Sequence, residues 1–453
     1  MDFGLEYTPK SFRRIAVEEA RRGKEDPATW FQESNAYVEK LKDLKSDRIR
    51  TCSPLWRRHP ERARDLYAGF KRQERDLRAQ KLEALLRALN SLSENLNSEL
   101  SSDTFSWTLK KAGLIKGSDV YTCADPTHLR YFVGKQVERS IARVPAQPTP
   151  SRDYMIAQLT SALSGKLERA VIRTDISKCF ESIPHEPLRD HLKERVQISR
   201  LTETLVSRLL DEYAQLTGAA RGLPRGVGMS SRLADLYMSD LDTRLSSLTG
   251  VLYYGRYVDD IVLVVDGHAA LNDIQDALNE AVASLGLSLN TNKTARLKPT
   301  NSDGDLSSIP LLGYKVNKVN GKIAVSLSQT KEDRIKRKLE LSFHAWQSVP
   351  NRSSGHDGLL LNRIRFLTGN TKLVNSKSRV MTGIYFSNRS LTATKQLVGL
   401  DRFLSHLASK AQLPPRLSAP IQACSFEAGF DDQRVHLFSQ NQLTKIVAVW
   451  RGI

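Results

Sequence analysis

The sequence predicts an α+β protein, helical at both ends, with short strands and helices mixed through its middle. Three observations carry this. Leu66, Phe70, Leu77, Leu82, Leu85, Leu86 and Leu89 recur at near-helical spacing within a strongly charged N-terminal segment. Residues 251–254 (VLYY) and 261–265 (IVLVV) are runs of β-branched and aromatic residues, as buried strands require. Beyond Thr330 the pattern returns to helix, in KEDRIKRKLELSFHAW, then RIRFLTGNTKLV, then from Thr392 onward. A chain of 453 residues is long enough for two or three packed parts. We expect a helical basic region over 1–105, a mixed core over 106–330 and a helical region over 331–453.

Composition narrows the class. Lys and Arg number 68 against 50 acidic residues, a net charge of +18. That excess points to a polyanionic partner, most simply nucleic acid, although a well-solvated basic surface has the same composition. No run approaches the length of a transmembrane helix and the N-terminus has no signal-peptide core, so a cytoplasmic protein without a membrane partner is expected. Cys52, Cys123, Cys179 and Cys424 are far apart with no CxxC pair, which supports neither a zinc module nor a disulfide framework.

Taken in order, the basic helical face of 1–105 is either solvated or in contact with nucleic acid. Residues 91–103, rich in Ser and Asn, read as a connection. From 105 to 152 the pattern is short and mixed, and Pro126, Pro145, Pro148 and Pro150 break any long element. Lys135, Arg139, Arg143 and Arg152 fall here; any one is a plausible surface charge, yet one or two could grip a triphosphate, because no Walker-type loop exists to do so. A helical stretch, 154–167, precedes a strand signal at 170–172 with Asp175 at its end. Phe180 follows five residues later, either in the core or overhanging whatever Asp175 binds. Gly222, Gly226 and Gly228 then punctuate a loop entering an apolar helix, where backbone could approach a ligand closely. After the Asp pair come a helical stretch, 271–285, the segment LGLSLNTNKTARL with Lys293, and two strands, IPLLGYKV and KIAVSL.

The centre of the chain is YGRYVDDIVLVV, residues 254–265. Asp259 and Asp260 stand side by side between two apolar runs. An acidic hairpin turn is one reading, but a favoured two-residue turn carries Asn-Gly or Asp-Gly, and no glycine follows Val258 until Gly267. Adjacent carboxylates repel and are costly to desolvate unless a cation neutralises them. The pair therefore reads as a metal site, completed by a third carboxylate. Asp175 precedes Asp259 by enough chain for a helical crossover to bring both onto one sheet.

In this order the Asp175-x4-Phe180 element, the glycine loop, YVDD, the lysine segment and the LLGY strand resemble the palm of a reverse transcriptase. The resemblance covers about 170–316. It implies a right-hand polymerase with fingers, palm and thumb, and an antiparallel palm sheet. Arg225 stands where many reverse transcriptases, including those of retroviruses and group II introns, carry glutamine. The NAxxH and VTG elements of retrons are represented only by NAYVE at 35–39 and MTG at 381–383. The strings RFLTGNTKLV…GIYFSN and SFEAGF…LTKIVAVW look like the thumb of bacterial defence-associated reverse transcriptases. FRRIAVEEARRGK is similar to one component of an antiphage system that pairs two reverse transcriptases with a noncoding RNA.

The resemblance implies RNA-directed DNA synthesis with two Mg²⁺ ions, Mn²⁺ being an alternative. Asp175 and Asp259 are expected to bridge the ions, the Ile176 carbonyl to assist, and Asp260 to act as a secondary ligand. Lys293 is expected to protonate the leaving pyrophosphate, unless it is a surface lysine. Phe180 is expected to exclude a 2′-hydroxyl, and Arg225, Gly226, Tyr257, Arg139 and Arg152 to surround the nucleotide. Lys331, Arg334, Lys336, Arg337 and Lys338 are expected to form the thumb surface that grips template–primer. The expected partners are a noncoding RNA template, its DNA product and dNTPs, with a second reverse transcriptase or a homo-oligomer left open. Template-independent or protein-primed synthesis, and a catalytically silent nucleic-acid scaffold, are the alternatives; intact Asp175, Asp259 and Asp260 speak against the last.

Overall fold

The computed structural model describes residues 6–21, 26–115, 117–144, 150–165, 167–195, 197–267, 271–299, 305–351, 353–373 and 380–450. The breaks expected at Pro145 and Pro148 lie outside them. The chain divides into two units, Met1–Pro145 with Phe180–Tyr237, and Ala146–Cys179 with Met238–Ile453.

In the first unit the helices Gln32–Cys52 and Pro60–Ser101 pack along one another. The second of these, 42 residues long, runs through the stretch whose Ser and Asn content predicted a connection. Leu92, Ser93 and Leu96 are buried along one face there, and the polar residues take the solvent side, so apolar spacing outweighs weak helix propensity. The helix stops only where the N–H groups of Thr104 and Phe105 turn back to the Glu99 carbonyl, at 2.8 and 3.1 Å. Strands β1 (Leu109–Ile115) and β2 (Ser118–Cys123) form an antiparallel hairpin, and a 13-residue helix, Leu129–Ile141, follows. The stretch expected to be broken thus holds a regular hairpin and a regular helix, because Pro126 falls in the turn between them. Trp107 is fully buried and donates its indole N–H to the Leu205 carbonyl at 2.8 Å.

The second unit contains the sheet that matters for function. Strands β3 (Arg169–Asp175), β4 (Val251–Tyr257), β5 (Asp260–Asp266) and β6 (Ala295–Leu297) pair antiparallel in the order β4-β5-β3-β6. Ile261 to Val265 are all fully buried, which explains why β5 reads as continuous rather than alternating. On one face Val171, Val262 and Val264 join Met155, Ile156 and Leu159 of the helix Arg152–Leu163. The helix Ser239–Ser246 packs against β4.

A second antiparallel sheet follows, β7 (Leu306–Leu311), β8 (Tyr314–Val319) and β9 (Lys322–Leu327). IPLLGYKV, expected as one strand, is two strands around Leu312 and Gly313, whose φ values of 50° and 80° reverse the chain. KIAVSL is β9 as expected. The helices Gln329–Gln347, Ser354–Thr368 and Lys395–Lys410 share one core with this sheet, through Leu339, Phe343, Leu360, Ile364, Leu397 and Leu400. No described helix is long and apolar enough to cross a membrane.

Two short strands, β10 (Asn370–Lys372) and β11 (Met381–Gly383), are tied down by one buried side chain. The Asn370 amide oxygen accepts from the Tyr385 N–H at 2.9 Å, and its amide nitrogen donates to the Gly429 carbonyl at 3.0 Å. Asn370→Ala strands these partners in a dry site. It should cost on the order of 2–4 kcal/mol, read as a lower urea midpoint; an unchanged midpoint would make the network dispensable.

Candidate active site

The β3–β5 register sets Asp175 directly opposite Asp260, and the β4–β5 register sets Tyr257 opposite Asp260. Paired residues point to the same side of a sheet, so both carboxylates and Tyr257 share one face with Arg173, two residues back along β3. Val258 and Asp259 are the two residues linking β4 to β5. The absence of glycine spoke against a hairpin turn here, yet the hairpin forms. Val258 takes φ 61°, the positive value that a type II′ turn asks of its first central residue and usually obtains from glycine. For a β-branched residue this conformation costs about 1–3 kcal/mol and persists only where its surroundings enforce it.

The enforcement comes from beneath the sheet. Arg256 and Asp242 form a bidentate pair, Nε and Nη2 each 2.7 Å from a carboxylate oxygen, with side chains only 3% and 6% exposed. The Tyr254 hydroxyl donates to the same carboxylate at 2.6 Å. The remaining Arg256 nitrogen donates to the Val258 carbonyl at 3.0 Å, holding the strained residue in place. Burial, with Asp242 beside it, drives the Tyr254 phenol well above its ordinary value, so it remains a donor. Sequence reading missed this group. An arginine inside an apolar strand was the available signal; Asp242 offered none.

Two cations offset the charge on the carboxylate face. Lys293 Nζ lies 2.9 Å from Asp175 Oδ2, and Arg173 lies 2.7 Å from Asp260 Oδ1. Burial raises the Asp260 carboxyl despite Arg173, and Asp259 and Asp175 push it the same way. The bond to Asp175 holds the Lys293 ammonium above its ordinary value. Ile176 is fully buried, and its N–H donates to the Asp259 carbonyl at 3.0 Å. Among the described residues no three Asp, Glu, His or Cys side chains are drawn together as ligands. Asp175 Oδ1 is nevertheless buried with no hydrogen-bond partner. An orphan carboxylate oxygen beside two further carboxylates fits a hard divalent cation such as Mg²⁺.

The other expected site residues are placed as follows. In the first unit Phe180 is half-buried and outside the core, with the Arg225 guanidinium 5.1 Å over its ring. Arg225 also grips Glu181 with two bonds of 2.7 and 3.1 Å; although burial pushes the Glu181 carboxyl up, these bonds keep it below its usual range. Gly226 has φ 95°, and a Cβ there would lie 2.6 Å from the Tyr121 carbonyl oxygen. The close approach that glycine permits is to β2. Beside this loop a cavity of about 370 Å³ is lined by Cys123, Lys135, Glu138 and Met229 among others. Arg139 is paired with Glu18.

In the second unit Arg152 and Lys331 flank the Tyr314 ring at 5.1 and 5.2 Å, and both donate to the Ser387 carbonyl. Burial, with Arg152 beside it, lowers the Lys331 ammonium to about 8. Lys336 pairs with Glu332, and Lys338 lies 5.3 Å over Trp450. Of the five cations expected on one surface, only Arg334 and Arg337 are exposed. The helix turns the others onto aromatic and carboxylate partners.

An antiparallel sheet with helices on its faces and carboxylates at a β-hairpin is the palm of a right-hand polymerase, and this is the fold class of the chain. Residues 124–316 match the reverse transcriptase (RNA-dependent DNA polymerase) family. It is 24% identical over 258 residues to protein P of duck hepatitis B virus in two strains, covering 57% of this chain and 29% or 27% of the viral protein. It therefore spans less than a third of the curated relatives it matches. Similar solved structures include apo telomerase from Candida tropicalis, at 14% identity and a TM-score of 0.38, covering 99% of this chain and 90% of that one. Telomerase from Candida albicans with a telomeric RNA fragment is also 14% identical, at a TM-score of 0.32, covering 83% and 75%.

Arg256→Met strands a buried carboxylate and should cost on the order of 3–5 kcal/mol, visible as a lower melting temperature. Asp242→Leu combined with Arg256→Met removes both charges and should recover most of that loss. It leaves the Val258 carbonyl unheld, so hydrogen exchange across 256–261 should stay faster than in the wild type. Wild-type exchange in the double variant would relieve Arg256 of its role in the turn.

Proposed function

We propose that this chain is an RNA-directed DNA polymerase that joins dNTPs to a primer 3′-hydroxyl, with Asp175 and Asp259 as bridging ligands of two divalent ions and Asp260 as a secondary one. One observation carries the reading: the register opposes Asp175 to Asp260 beside the Asp259 turn while Asp175 Oδ1 stays buried and unpartnered. Divalent ions held there would neutralise the triphosphate and activate the 3′-hydroxyl. The chain's own residues supply position and charge. Lys293 keeps its proton while bonded to Asp175 and can pass it from Nζ to a leaving pyrophosphate. Arg173 restrains Asp260 from the neighbouring strand position. The Ile176 carbonyl is a further oxygen at the end of β3. Phe180, stiffened by the Arg225 guanidinium, discriminates the sugar by volume.

Arg334 and Arg337 are the cations left to touch template–primer backbone. The template is a dedicated noncoding RNA and the setting is antiphage defence, with a second reverse transcriptase as a candidate partner. Support for this finer reading lies in the strings RFLTGNTKLV…GIYFSN, SFEAGF…LTKIVAVW and FRRIAVEEARRGK, and in the net charge of +18.

Asp259→Ala with Asp260→Ala should abolish dNTP incorporation on an RNA template in Mg²⁺ while leaving the melting temperature equal or higher, since two mutually repelling charges are gone. Incorporation at near wild-type rate would sink the metal site. Phe180→Val should raise GTP use relative to dGTP. The kcat/KM ratio is expected to move by one to two orders of magnitude, each about 1.4 kcal/mol, with a small change in melting temperature because the ring is not in the core. A large fall in stability with an unmoved ratio would assign Phe180 to packing instead.

A further inference from the structure

The helical hairpin of the first unit ends in a tip that the polymerase chemistry does not use. Of residues 53–68, all but Leu55 and Ala63 are exposed. Among them are Trp56, 43% exposed, and Tyr67, 37% exposed. Their rings meet edge-on with centroids 6.1 Å apart, and Arg48 lies 5.3 Å over Tyr67. Large rings ordinarily go inside, so an exposed pair at the end of the hairpin reads either as a ligand site or as a solvated surface. Charge separates the two. Residues 48–72 hold eight Lys and Arg against Glu61 and Asp65, whereas residues 73–101 of the same helix hold four against five acidic residues. Lower on the hairpin three of the four cations are committed, Arg78 to Glu74, Lys81 to Asp26 and Arg87 to Glu33. At the tip Arg57, Arg58, Arg62 and Arg64 are exposed and make no ion pair among the described residues. Tyr67 is covered by Arg48 and Lys71, which leaves the Trp56 ring. Guanidinium groups without ion pairs beside such a ring are the chemistry that recognises unstacked bases and the phosphates joining them.

We propose that this tip is an RNA-binding site for a single-stranded or looped segment, with a base stacked on Trp56 and phosphates held by the four arginines. The proposal goes beyond the polymerase reading and does not rest on it, because none of these residues is near the carboxylates in the chain. The test uses the full chain and a fluorescein-labelled unstructured polypyrimidine RNA, followed by anisotropy across a salt series. Arg57→Ala with Arg58→Ala should weaken binding and flatten the log–log salt slope by about 1.4, roughly 0.7 per phosphate contact on a single strand. Trp56→Ala should weaken binding about tenfold at every salt concentration and leave the slope unchanged, as a stacking contact does. Both variants should melt like the wild type, since the residues are exposed. Asp259→Ala with Asp260→Ala should bind this RNA normally, which keeps failure here distinct from failure of the polymerase reading. Unchanged affinity in both tip variants would overturn the proposal. So would loss of binding to phosphatidylserine vesicles, or a change in oligomeric mass, with RNA affinity unmoved; the tip would then be a membrane or protein contact.

Discussion

Three carboxylates held in one corner of a sheet repel each other, and much of the second unit's architecture answers that repulsion. Separation along the chain is no help, because the register of β3 against β5 forces Asp175 to face Asp260. Two cations from the same face, Lys293 and Arg173, take up the charge. A third, Arg256, works from the opposite face, bonded to Asp242 and to the Val258 carbonyl. It fixes the backbone that presents Asp259. Charge is thus handled above the sheet and shape below it, and the two tasks fall to different side chains.

That division explains why strain can be tolerated at Val258. A positive φ at a β-branched residue is unfavourable locally, but the Arg256–Asp242 pair already needs to be fully satisfied to survive burial. The Val258 carbonyl supplies the acceptor for its remaining nitrogen. The turn and the ion pair therefore stabilise each other, and neither is easily changed alone.

Much of this corner was legible in the sequence, for a physical reason. Asp175, Asp259 and Asp260 end or link apolar strands, where neighbouring carboxylates are costly to hold, so they stand out against the apolar runs. The turn was less legible because residue preferences describe isolated turns, and glycine's absence counts for little once a buried guanidinium holds the carbonyl. Lys331 and Lys338 illustrate another limit. A basic helix announces its composition but not its orientation, and only the packed structure shows these two lying over Tyr314 and Trp450. Asp242 was invisible for the same reason: within SDLD it is indistinguishable from Asp240 until one of them is buried. Residues 91–103 failed in the opposite direction, their polar content concealing a regular apolar stripe.

The way the two units share the chain carries a consequence for biosynthesis. Residues 180–237 belong to the first unit but interrupt the second, so β3 is made well before its partners β5 and β6. Until residue 266 has been synthesised, AVIRTD has no antiparallel neighbour, and its apolar side chains and backbone donors wait unpaired. Non-local pairing of this kind is slow and exposes adhesive edges. The first unit, by contrast, has its last element by Tyr237. A ribosome-bound chain would then carry a finished helical body and an orphan strand at once, which makes the interval between residues 175 and 266 the window in which a chaperone has most to protect.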